Sequence, residues 1–305
     1  MQAASGRRGA MLSYLVNKPE KQQKEAPAET GKKKGKKKKA TPAPEPEAAD
    51  GGKKVKYDSV RIEIFSGADL IRTIKRKAPK ENGLHRYYWD MRQKGVRGMS
   101  RRKVNLKVEP RGKVVRPGEY KVRFTFGDQK DSTMLTVAFD PRLDLSDADI
   151  TAKNDALDRI DASKGLGFQA VERLKEAIKL ANDYSKKLKE KDEEGFEEQI
   201  KLCKTTADTL NTFLDAFLGK VDKRQGITRG QPQSVNNSLR GAQMYTGSAT
   251  HAPGATELKL IDKFEADLQA ALKPVNDYFE SEWPKFRETV EPIDLSPFKD
   301  YEKIE

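Results

Sequence analysis

The chain of 305 residues contains two histidines, His85 and His251, one cysteine, Cys203, and 47 aspartates and glutamates. These are the side chains able to act as metal ligands, nucleophile or acid–base pair, and their spacing decides among those roles. Zinc wants several His or Cys ligands at short sequence spacings. Two distant histidines and no cysteine pair supply no such set, so no metal and no cofactor is expected. His85 stands beside Tyr87 and Trp89 and reads as a packed strand residue. Cys203 falls on an apolar helical seam, where a thiol is a small buried hydrophobe. A nucleophilic thiol needs an electropositive, partly exposed setting with a base nearby. Asp140, Asp144, Asp147 and Asp149 crowd one boundary, but the calcium pattern Asp-x-Asp-x-Asp-Gly with a distal glutamate is missing. Turn formation and helix N-terminal charge account for them. A glycosidase's carboxylate pair does not stand out among 47 acids. Gly165-Leu166-Gly167 reads as a helix break, not a phosphate-cradling loop. No catalytic residue is expected.

The residues with a clear chemical tendency are basic. Lys32, Lys33, Lys34, Lys36, Lys37, Lys38 and Lys39 form one run; Arg97, Arg101, Arg102 and Lys103 form a second cluster. Clustered lysines contact polyanions weakly, without sequence preference and with a steep salt dependence. The first run lacks the interleaved aromatics that single-strand binders use for stacking. The competing reading of the first is a solvated tether, and of the second a solvated loop rim. The sharper reading of the second is docking to an acidic partner, the acidic helical half included. Tyr87, Tyr88, Trp89, Trp283 and Phe286 raise a carbohydrate platform, but Trp89 alternates with polar residues as a core residue does. That leaves Tyr88 on the opposite, better exposed face.

The elements that must position these residues are of two kinds. Period-two alternation bounded by turn residues marks six half-buried strands at Ser59–Phe65, Leu70–Ile74, Leu84–Met91, Lys103–Glu109, Glu119–Phe126 and Ser132–Phe139. Beyond Asp140-Pro141 the period changes. Ser146 and Asp149 form a capping-box signature. One stripe follows at Phe168, Val171, Leu174, Ile178, Ala181 and Leu188, and a second at Phe196, Ile200, Cys203, Ala207, Leu210, Leu214, Phe217 and Val221. The second is spaced as a heptad seam. Residues 225–256, rich in Gly, Ser and Asn, read as a long loop. A third stripe runs Ile261, Phe264, Leu268, Leu272, Val275, Phe279, Trp283 and Phe286, with Pro274 predicting a kink. The fold class expected is α+β multidomain: a small immunoglobulin/fibronectin-like antiparallel β-sandwich followed by a three-helix antiparallel bundle.

Charge supports a division at the same place. Formal net charge is +13, yet residues 1–141 carry 35 Lys and Arg against 16 acids, and residues 142–305 carry 25 against 31. No apolar stretch approaches the roughly 18 residues of a membrane span. Met11–Val16 is shorter than the roughly 7–15 residues of a signal peptide's apolar region, so no export signal is expected in this chain.

Three stretches resemble a known family. LIRTIKRKAPKENGLHRYYWDMR (Leu70–Arg92), VRPGEYKVRFTFGDQ (Val115–Gln129) and VAFDPRLDLSDADI (Val137–Ile150) are similar to the C-terminal region of secreted bacterial sortilin-like, BNR-repeat propeller proteins, often labelled glycosyl hydrolases. The pattern Gly83, Leu84, Arg86, Trp89, Asp90, Arg92 is its strongest part. The resemblance implies an immunoglobulin-like sandwich of the flagellar hook-cap type, then a helical segment. No Asp-box repeat occurs, so the propeller is missing and the family's hydrolase label would belong to the absent part. It also implies a C-terminal piece of a longer, extracytoplasmic protein. Residues 8–17 become the first strand of the sandwich, 18–54 a disordered Lys/Pro-rich insert, 55–141 the rest of the sandwich and 142–305 the bundle. Pro42, Pro44 and Pro46 keep that insert extended. The function expected is a non-catalytic accessory module for docking or protein–protein contact, its partner an upstream propeller or another chain. The alternatives are non-specific polyanion or nucleic-acid binding through the lysines, and the remnant of a glycosyl hydrolase.

Overall fold

The computed structural model describes residues 9–18, 56–139, 143, 145–221 and 233–295. The lysine run Lys32–Lys39 and the acids Asp140 and Asp144 lie outside the described residues. The chain forms two compact units that do not follow the sequence in two blocks. One comprises Met1–Lys94 and Arg111–Asp140; the other comprises Gly95–Pro110 and Pro141–Glu305.

Among the described residues the first unit has eight strands: β1 (Ala10–Val16), β2 (Ser59–Ser66), β3 (Asp69–Lys77), β4 (Gly83–Trp89), β5 (Arg92–Lys94), β6 (Arg111–Val114), β7 (Gly118–Phe126) and β8 (Gln129–Val137). They make a four-stranded antiparallel sheet in the order β3-β2-β7-β8 and two antiparallel pairs, β1-β4 and β5-β6. Alternation selects one face of each. Val60, Ile62 and Ile64 of β2 meet Tyr120, Val122 and Phe126 of β7 inside, with Leu12 and Val16 of β1 and Trp89 of β4 in the same core. Trp89 is fully buried, and its indole N–H is satisfied by the Arg92 carbonyl at 3.0 Å. The β7–β8 hairpin closes through Gly127 at φ 62°, a left-handed conformation suited to two-residue turns. The Tyr57 ring covers that glycine, and the Tyr57 hydroxyl donates to Asp128 at 2.6 Å.

Among the described residues the second unit contains four helices, which corrects the three-helix bundle and with it the expected fold class: α1 (Asp147–Lys191), α2 (Glu197–Leu218), α3 (Val235–Ser248) and α4 (Ala255–Val290). The missed helix, α3, lies inside the stretch 225–256 read as loop. Its interior carries Asn, Gly, Ser and Thr, poor helix formers that hide the period. Packing overrides propensity here: Val235, Leu239, Ala242 and Thr246 are buried along one stripe, and Ser234 caps the start by accepting from the Asn237 N–H. On the β side the expected six-run sandwich is replaced by eight strands in three sheets. The run Lys103–Glu109 is not a strand. The short strands β5 and β6 pair instead, and residues 95–110 fold with the helices.

One further expectation changes. Helix α1 runs unbroken through Gly165-Leu166-Gly167. A Cβ on Gly167 would meet the Met99 sulfur at 2.8 Å and a Leu268 methyl at 3.4 Å. That glycine provides close approach, not a break. Helix α4 continues through both Pro274 and Pro284. The helices enclose two cores. One gathers Met99, Leu174, Leu210, Phe217, Leu239, Phe264 and Leu268 among others. The second gathers Ala181, Leu188, Ile200, Cys203, Ala207, Phe286 and Val290.

Candidate functional site

Several residues with catalytic potential are committed to the fold. Cys203 is fully buried on the α2 seam, and burial pushes its thiol up to about 11, well away from a thiolate at neutral pH. The His85 ring is within 3.0 Å of the Glu81 carbonyl and lies near the Tyr14 ring. His251 belongs to the other unit. Among the described residues no group of three or more His, Cys, Asp and Glu side chains is placed to hold a metal ion. Asp149 is the N-terminal cap partner of α1: it accepts from the Ser146 hydroxyl at 2.6 Å, and the Ser146 hydroxyl accepts from its backbone N–H at 3.1 Å. Hydrogen bonding from Ser146 holds its carboxyl below the usual carboxylate range. Tyr88 is half-buried, and its hydroxyl faces the Met11 sulfur at 3.4 Å. Trp283, half-buried, meets the Phe279 ring edge-on and tilts against the buried Phe286, so both pack against the helical core.

The second basic cluster is built into the helical unit. Arg97 donates to the carbonyls of Asn105, Leu106 and Val108 at 3.1, 3.1 and 2.8 Å. A guanidinium fork thereby takes the backbone acceptors that a neighbouring strand would have used, which is why Lys103–Glu109 does not pair. Met99, buried in the core, and Val96, near Gly165, press the loop against α1. Lys175 of α1 donates to the Ser100 and Arg102 carbonyls at 3.2 and 3.1 Å. Arg101 reaches α2, donating to the Asp215 carboxylate at 2.5 Å and to the Gly219 carbonyl at 2.6 Å. A partly buried, charge-assisted bond of that kind spends the guanidinium on the fold. Arg102 and Lys103 are exposed. The structure therefore separates the three: Arg101 is inward, its two neighbours outward.

A third basic surface escaped the reading of the sequence. The outer face of the four-stranded sheet is laid out by its register. One row across the strands is Lys75, Arg61, Thr125 and Lys130; the next is Thr73, Glu63, Arg123 and Ser132; the last is Leu70, Phe65, Lys121 and Met134. Lys77 extends β3 beyond the first row, opposite Ser59. Glu63 is buried at the centre, held by Arg61 at 2.6 Å and by Arg123 at 2.7 and 2.8 Å. The Arg123 guanidinium also lies over the Phe65 ring at 4.7 Å. Lys75, Lys77, Lys121 and Lys130 are exposed, and their ammonium groups have no ion-pair or hydrogen-bond partner among the described residues. The signal was present in the alternation itself. The polar positions between core residues in β2, β3 and β7 are mostly Lys or Arg, but only strand pairing shows that they share one face.

Among the described residues no helix is long and apolar enough to cross a membrane. Compared with known proteins, the chain matches no family model, no curated protein and no solved structure. The resemblance to the sortilin-like, BNR-repeat proteins thus rests on the three sequence stretches alone.

Proposed function

We propose that this chain is a non-catalytic interaction module that works through charged surface. The observation that carries the reading is the commitment of its reactive side chains: Cys203 to a core, Asp149 to a helix cap, Glu63 to two arginines, Arg101 to Asp215. Groups locked in this way by packing and ion pairing are poor acids, bases or nucleophiles, whereas lysines are left open on a sheet face. The resemblance to the tail of secreted propeller proteins agrees with a docking role, and on that analogy the module works outside the cytoplasm beside a propeller or another chain. Polyanion contact is the second reading, favoured by the unpaired lysines of the outer sheet face. The test is turnover of aryl-glycoside and aryl-ester substrates by the purified chain. No turnover above buffer is expected. Turnover abolished by exchange of a single carboxylate overturns the reading.

A further inference from the structure

We propose that the outer face of the β3-β2-β7-β8 sheet binds the phosphate backbone of duplex nucleic acid without reading its bases; this rests on the interaction reading above and names its surface and partner. The sign of the face is the first argument. Lys75, Lys77, Arg61, Lys121, Arg123 and Lys130 come from all four strands, while the acids on it are Glu63, buried between two arginines, and Glu119 at one end. The second argument is spacing. Neighbouring strands lie about 4.8 Å apart, so Lys75 and Lys130, three strands apart in one row, stand about 14 Å apart. Residues two apart on a strand, such as Lys75 and Lys77 or Lys121 and Arg123, stand about 7 Å apart. A duplex carries one charge per roughly 1.7 Å of axis, so a grid of this size meets several phosphates at once.

The remaining chemistry narrows the partner. Protein interfaces are anchored by aromatic or arginine side chains seated in pockets; here the one ring on the face, Phe65, is already covered by Arg123. Single-strand binding uses open aromatic platforms, which this face lacks among the described residues. The exposed apolar residues Leu70 and Met134 stand on opposite edge strands, so they form no patch for insertion into a lipid surface. What remains is an array of exposed ammonium groups. That arrangement suits a regular polyanion contacted along its backbone.

The experiment is fluorescence anisotropy of the full chain with a labelled 20-base-pair duplex across 50–200 mM salt. Four proteins are compared: wild type; a face variant with Lys75→Gln, Lys77→Gln, Lys121→Gln and Lys130→Gln; a control with Lys187→Gln, Lys201→Gln, Lys204→Gln and Lys259→Gln on the helices; and a variant with every lysine from 32 to 39 changed to Gln. The face variant is expected to bind at least about tenfold more weakly at 100 mM salt, with the slope of log K against log salt reduced by about 3 to 4. The control removes the same charge from exposed sites elsewhere and is expected to change affinity less than about twofold, since screening confines each charge to about 10 Å. Because the four face lysines have no partners, melting curves should coincide, so a lost fold will not mimic lost binding. Duplex binding unchanged in the face variant, or equally weakened in the control, overturns the proposal. So does binding lost only in the variant of residues 32–39. Heparin and phosphatidylserine vesicles run in parallel. Weakened heparin or vesicle binding with unchanged duplex binding refutes the nucleic-acid assignment while leaving the interaction reading intact, which the turnover assay tests separately.

Discussion

The two units handle charge in opposite ways. In the helical unit, charges are largely matched within a turn: Lys189 with Glu193, Lys263 with Asp267, Lys273 with Asp277 and Arg287 with Glu291 at four-residue spacing, and Lys175 with Glu172 at three. Arg159 of α1 ties two acids of α4, Asp262 and Glu265, at 3.0 and 2.7 Å. In the sheet unit Arg61 and Arg123 hold Glu63, while Lys75, Lys77, Lys121 and Lys130 on the outer face have no ion-pair partner among the described residues. Exposed helical pairs stabilise only weakly, so matching there serves neutrality more than stability. The sheet unit leaves its field directed outward. Among the described residues the exposed lysines of the outer sheet face thus contrast with the paired charges of the helices.

The two tryptophans make the comparison measurable, because Trp89 lies in the sheet core and Trp283 against the helical cores. The largest effect should come from Ile62→Ala, which empties a fully buried position. Denaturant unfolding followed by Trp89 fluorescence in a Trp283→Phe background should show a loss of about 3–4 kcal/mol. A simultaneous, equal loss reported by Trp283 in the reciprocal background would mean the two units melt as one.

Next comes Met99→Ala, expected to cost about 2–3 kcal/mol and to be read by Trp283 and helical circular dichroism, not by Trp89. Gly167→Ala should destabilise the wild type by about 1–3 kcal/mol, because its new methyl meets the Met99 sulfur. In the Met99→Ala background the same change should be neutral to stabilising by up to about 1 kcal/mol, since the sulfur is gone and alanine gains helix propensity. Additive effects in that cycle would sever the loop from α1.

Smaller still is Ser146→Ala at the α1 cap, about 1 kcal/mol by thermal melting. The Asp149 carboxyl is held below its usual range, so its contribution is present above the unfolded carboxylate value and fades as pH falls through the depressed folded value. The gap between wild type and Ser146→Ala should therefore be widest at neutral pH and narrow in acid, while the cap bond from the Asp149 N–H to the Ser146 hydroxyl keeps part of it. Least of all, native Cys203 should be inert to a chromogenic disulfide reagent at pH 8 and react fully once unfolded. Its thiol is raised in the fold from 9.0 to about 11, so the stability it adds is complete below pH 9 and is lost as pH climbs toward 11.

Much of the local structure was legible because one side of each element is consistently apolar. The runs at Ser59–Phe65 and Glu119–Phe126 emerge as β2 and β7, and the seam from Ile200 to Phe217 is buried as spaced. Val221, its last member, lies past the helix end and is exposed. The failures share a physical cause: a tertiary partner overrode the local signal. Gly165 and Gly167 look like a break until Val96 and Met99 occupy the space they leave. Val104, Leu106 and Val108 alternate like a strand, but Arg97 takes the carbonyls of Leu106 and Val108 and leaves both of those side chains exposed. Helix α3 has low propensity and exists through burial. The basic sheet face needed strand register, which no single run contains.

The excursion of residues 95–110 has a developmental cost. During synthesis this hook leaves the ribosome well before the helices that must receive it, and Arg101 waits for Asp215, 114 positions downstream. The helical half cannot mature as a self-sufficient tail. A gene cut at residue 141 would yield a bundle lacking the thioether against Gly167 and the guanidinium on Asp215, so dissecting this protein into working halves requires grafting the hook onto the second piece.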